Sequence, residues 1–88
     1  MTTFAELNTE IRAIEGELAY GSETMIYGDF ASRMIDLGGK DWRESDDVID
    51  ADEVAWWRKA YQLYREDLAK PEGERFESCQ DLYNAVGQ

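Results

Sequence analysis

The chain has no histidine, a single cysteine (Cys79) and a single proline (Pro71) in 88 residues. Without histidine there is no Ser-His-Asp or Cys-His catalytic arrangement and no histidine-containing zinc site. One thiol makes neither an all-cysteine metal site nor an intramolecular disulfide, so nothing requires an oxidising compartment. Basic residues are also scarce, with nine Lys and Arg against twenty Asp and Glu and a net charge of −11. No apolar run approaches the ~20 residues that cross a bilayer. The opening MTTFAELNTE lacks the basic and apolar regions of a secretion signal. A surface this acidic avoids anionic lipid and nucleic acid. The expectation is a cytoplasmic protein that touches neither membrane nor nucleic acid directly.

Phosphate and calcium motifs are missing as well. Gly38-Gly39-Lys40 lacks the spaced first glycine and the following Ser or Thr of a phosphate loop. An EF-hand register starting at Asp41 puts Arg43 at the third position and Asp46 at the sixth, where glycine is needed. Starting at Asp46 puts Val48 third and Trp57 twelfth, so neither register works. No catalytic residue, metal ligand or cofactor is assigned, and the chain is expected not to be an enzyme. Cys79 falls on an apolar stripe and reads as core filler.

What is present is enough for a folded core. Hydrophobic residues make up 43% of the chain and aromatics 12%, well above the composition of acidic disordered segments. The spacing predicts an all-α fold, a small bundle of three to four helices in one domain spanning residues 1–88. Phe4, Leu7, Ile11, Ile14 and Leu18 mark the first helix, with a Thr3/Glu6 capping box and Gly21 as its stop. Gly16 inside it suggests a close approach by another helix. A second helix runs from about Ser22 to Leu37, capped by Ser22 or Thr24, with Ile26, Phe30, Met34 and Leu37 inward. Asp50 opens the strongest helix, whose Val54, Trp57, Tyr61, Tyr64 and Leu68 again step by three and four, ending at Pro71. A fourth helix starts near Glu72 or Glu74 and turns Phe76, Cys79, Tyr83 and Val86 inward, with Leu82 beside them. The two heptad-like seams pack on each other or on a second copy.

Charge is concentrated in one place. Seven of the thirteen residues from Asp41 to Glu53 are acidic (Asp41, Glu44, Asp46, Asp47, Asp50, Asp52, Glu53), opposed only by Arg43. If helical, the run carries one charge per ~2.6 Å, and if extended one per ~6 Å, either comparable with nucleic-acid phosphate spacing. Glu6, Glu10 and Glu17 fall within about 40° of each other on the first helix and add a second acidic stripe. Glu72, Glu74, Glu77 and Asp81 add a third. Trp42, inside the run, either folds onto the core or stands out as an aromatic anchor for a partner. The candidate partner-binding set is therefore Asp41, Trp42, Glu44, Asp46, Asp47, Asp50, Asp52, Glu53, Glu6, Glu10 and Glu17.

These features point to a small acidic protein that binds a basic protein surface, such as that of a nucleic-acid-binding enzyme, and blocks its positively charged site. Reversing Asp46, Asp47 and Asp50 to Lys is expected to abolish binding without unfolding the chain. In size and charge the chain resembles phage-encoded anti-defence proteins (DNA mimics, anti-restriction and anti-CRISPR inhibitors) and bacteriocin immunity proteins. No motif is shared, so no residue roles carry over. The resemblance implies a viral or mobile-element inhibitor acting in the host cytoplasm. The alternative is a non-catalytic helical adaptor that forms a homodimer through its heptad-like seams.

Overall fold

A computed structural model describes residues 1–19 and 24–87. Four helices form the body: α1 (Phe4–Ala19), α2 (Met25–Gly38), α3 (Ala51–Leu68) and α4 (Cys79–Val86). Single 3-10 turns at Trp42–Glu44 and Glu72–Glu74 lie in the two longer connections. The expected all-α bundle is what forms.

Helix starts follow local chemistry. Thr3 N donates to Glu6 Oε1 at 2.9 Å and Glu6 N to Thr3 Oγ1 at 3.1 Å, the reciprocal capping box. Thr24 caps α2, so that helix begins at Met25; Gly21 and Ser22 lie outside the described residues. Asp50 caps α3 through Asp52 N. At the far end of α2, Gly39 takes a φ of +84°, which ends the helix without the strain a side chain would bring.

Two expectations about helix faces need correction. Leu37 was placed in the α2 stripe but is 45% exposed. Gly38 makes the close approach instead: a Cβ there would lie 2.9 Å from Phe4 Cε1 and 3.1 Å from Trp42 Cβ, so Leu37 is left at the edge. Gly16, read as a helix contact, faces open space.

The last helix also differs. It begins at Cys79 under a Ser78 cap, because residues 72–78 are used to close α3. Arg75 donates to the carbonyls of Leu68 and Lys70, and Phe76 N donates to the buried Asp67 carboxylate. The register then puts Leu82 and Val86 in the core, with Phe76, Cys79 and Tyr83 only half-buried.

The core is strongly aromatic. Phe30 is fully buried and meets Trp42, Trp57 and Tyr61 edge-on, with ring centroids 5.5, 5.2 and 6.5 Å away. Leu7 and Ile11 of α1, Met34 of α2 and Ala60 of α3 complete its centre with no exposed surface. The N-terminal parts of both heptad-like seams (Phe4, Leu7 and Ile11; Val54, Trp57 and Tyr61) are buried within one chain, while Ile14, Leu18, Tyr64 and Leu68 are half-buried.

Candidate functional site

Ion pairs fix how α1 lies on α3. Arg58 binds Glu10 and Arg65 binds Glu17, so the same sequence offset recurs one heptad later. Advancing along both chains together means that the two helices run parallel. Their N-termini, the positive ends of both dipoles, share one end of the molecule.

The acidic connector, residues 41–50, sits at that end. Its backbone is tied to the start of α1: Phe4 N donates to Asp47 O and Ala5 N to Ser45 O, each at 3.1 Å, while Ile49 N donates to Thr2 O at 2.9 Å. Thr3 and Val48 form a single antiparallel bridge. The connector's carbonyls thus satisfy helix N–H groups that no intrahelical acceptor reaches. Ile49 is buried beneath it, and the chain then passes into α3 through the Asp50 cap. The run is neither one helix nor one strand, but a 3-10 turn, an extended segment and a helix start in succession.

The structure sorts the expected binding residues into three groups. Trp42 is fully buried against Phe30, with Arg43 stacked over its ring at 4.6 Å. It is therefore no exposed anchor, because the turn at 42–44 folds the indole into the gap beside Gly38. A second group is already engaged within the fold. Glu53 accepts a two-point hydrogen bond from Arg33 and another from Trp57 Nε1 at 3.1 Å, and the Arg33 bond holds its carboxyl below the usual glutamate range. Glu10 and Glu17 face α3 rather than a partner, since positions beside a buried seam lie next to the flank of the neighbouring helix. Glu6 serves the capping box, whose Thr3 backbone N–H lowers its pKa.

The third group is the exposed set. Asp41, Glu44, Asp46, Asp47 and Asp52 are exposed, and among the described residues none of their carboxylates meets a cation. Asp50 is exposed too but is held as a helix cap. Basic residues, meanwhile, are mostly used inside the fold: Arg33, Arg58 and Arg65 in ion pairs, Arg43 on Trp42 and Arg75 on α3 carbonyls. The C-terminal acids do not join this surface. Contacts of Tyr83 with Trp56, and of Phe76 N with Asp67, show α4 running antiparallel to α3. Glu72, Glu74 and Glu77 therefore lie near the far end of an 18-residue helix, about 27 Å from its start.

Three buried or bonded acids escaped the sequence reading. Glu15 is only 4% exposed and accepts from Thr24 N at 2.8 Å and Tyr61 OH at 2.9 Å. Burial and that bond push the Tyr61 phenol far up. Its position four residues after Ile11 on the α1 seam was the available clue. Asp67 has no comparable clue, because its partner, Phe76 N, lies across a turn. Asp29 accepts from Tyr83 OH at 2.6 Å.

Among the described residues, no group of three or more Cys, Asp or Glu side chains is arranged to hold a metal ion, and no helix is long and apolar enough to cross a membrane. No protein-family model matches the chain, and neither does any curated protein or solved structure.

Proposed function

We propose that this is a non-catalytic binding protein that covers a positively charged surface of another protein, one shaped to receive nucleic-acid phosphates. The observation that carries this reading is the set of five exposed carboxylates with no cation partner, four on the connector (Asp41, Glu44, Asp46 and Asp47) and Asp52 in the first turn of α3, beside a chain whose cations are largely engaged internally. Folding alone does not call for them: backbone carbonyls and the Asp50 cap already serve the two helix starts, and an acid near a helix N-terminus adds only about 0.3–1 kcal/mol. Binding acts by occlusion, with long-range attraction accelerating encounter at low salt. Acidic inhibitors of nucleic-acid enzymes, which the chain resembles in size and charge, would act in this way.

The test is displacement. The protein is titrated into duplex complexes of a panel of basic nucleases and other DNA-binding enzymes, at salt from about 50 to about 300 mM. Displacement from at least one of them, weakening as salt rises, is expected. A triple variant, Asp46→Lys, Asp47→Lys and Asp52→Lys, should lose it while keeping its helical circular dichroism. Asp50 is left intact because removing a cap costs about 1 kcal/mol by itself. Displacement from none of the panel contradicts the reading, and undiminished displacement by the triple variant contradicts the site.

A further inference from the structure

Helices α2, α3 and α4 meet around a groove of about 370 Å³ lined by Arg33, Glu53, Trp56, Trp57 and Tyr83. The Arg33–Glu53 pair is its wall toward the connector, since the same two residues line the neighbouring depression that holds Asp47 and Asp50. The three rings are tilted 48–80° from one another rather than stacked flat, with centroids 4.8–6.3 Å apart. Trp57 is nearly buried, while Trp56 and Tyr83 are half-buried and keep ring surface open to the groove. Three other rings carry one of the chain's own cations: Arg43 over Trp42 at 4.6 Å, Lys70 over Phe76 at 5.0 Å and Arg12 over Tyr27 at 5.3 Å. Among the described residues, none lies over Trp56 or Tyr83.

We infer that this groove receives an arginine side chain of the partner protein, its guanidinium laid over Trp56 and Tyr83. The inference rests on the acidic-surface reading above and adds a specific contact beside the connector acids. Ring faces attract cations, most strongly on Trp. A guanidinium suits them better than an ammonium, because it is planar and gives up less hydration. Charge at the groove selects the same occupant. Arg33 lines it, but its Nε and Nη2 both donate to Glu53, so that pair brings no net charge. Asp29, which accepts from Tyr83 OH at 2.6 Å, is exposed and has no cation partner among the described residues. It leaves the edge of the groove negative, on a chain of charge −11 that repels an anionic occupant. Tryptophan, tyrosine and arginine are also the residues in which binding energy concentrates at protein interfaces.

The test uses two synthetic peptides of equal length and charge that differ only in carrying Arg or Lys, with Gly and Ser between the basic residues. Binding is measured by calorimetry at about 50 mM salt. The native protein should bind the Arg peptide about fivefold tighter. Trp56→Leu, which removes the ring face, should bring that ratio close to one and leave the salt-sensitive binding of both peptides. Trp56→Phe should keep part of the preference. A second readout needs only the native protein. The indole N–H resonance of Trp56, assigned by its loss in Trp56→Phe, should move as Arg peptide is added, while that of the fully buried Trp42 stays in place. Equal binding of the two peptides by the native protein overturns the groove and leaves the acidic surface standing. An Arg preference that survives Trp56→Leu, or a Trp56 indole that does not move, also overturns it. Failure of both peptides to bind overturns the acidic surface and the groove with it. A native dimer in sedimentation that Trp56→Leu converts to monomer assigns the groove to self-association and overturns the proposal.

Discussion

The α1–α3 seam and the connector carry the same kind of charge and use it in opposite ways. Along the seam, Glu10, Glu15 and Glu17 each meet a donor on the chain itself: Arg58, Tyr61 or Arg65. In the connector the backbone does the structural work, through carbonyls bonded to the start of α1, and the carboxylates stay outside. Acid content alone therefore says little about function. What distinguishes the two regions is whether the neighbouring element supplies a donor.

The sharpest way to break that contrast is at Trp42. If the connector's aromatic residue is core, Trp42→Ala should lower unfolding free energy by about 3–5 kcal/mol in urea titrations. A near-native midpoint would mean that the indole is a surface group after all. Next in size, Glu15→Ala leaves the Tyr61 hydroxyl and Thr24 N–H without their acceptor and should cost about 1–3 kcal/mol. Gly16→Ala should raise stability by about 0.5–1 kcal/mol, since open space surrounds that position; a loss would place another element against it. The exposed ladder is weaker still. Charge removal by Glu10→Gln should cost no more than about 1 kcal/mol, because Arg58 and Glu10 are both well exposed.

Much of this fold was legible in the chain. The steps of three and four in α1 and α3, the Thr3/Glu6 box and the Asp50 cap are local signals, and each formed as read. The Trp42 fold-back, the α4 register and the engagement of Glu53 were not legible, because each depends on a partner distant in sequence. Glu53 meets Arg33 across the α2–α3 contact, and α4 is set by Ser78 only because Asp67 and Arg75 occupy the preceding turn. The acidic run was visible at once. Which of its members are spent and which are free required knowing where the cations fall.

Solution conditions sharpen the contrast further. The carboxyls of Glu53 and Glu6 lie below their ordinary 4.5 in the folded state, the first through Arg33 and the second through the Thr3 backbone N–H. Groups lowered in this way stabilise the fold fully above that value and lose their contribution as pH falls through the lowered one. Stability should therefore drop as pH falls below that ordinary value, with a flatter slope in Glu53→Gln. Unpaired connector acids repel one another, so the urea midpoint should rise from about 50 to about 300 mM salt.

The central claim is that connector carboxylates bind and seam carboxylates fold. Two double variants that remove the same charge, Asp46→Asn with Asp47→Asn and Glu10→Gln with Glu17→Gln, test it when both are titrated against one Lys- and Arg-rich peptide. The account predicts that the connector variant loses most of its affinity at an unchanged urea midpoint, while the seam variant keeps its affinity and loses some stability. Equal loss of affinity in both would show that only net charge matters and would contradict it.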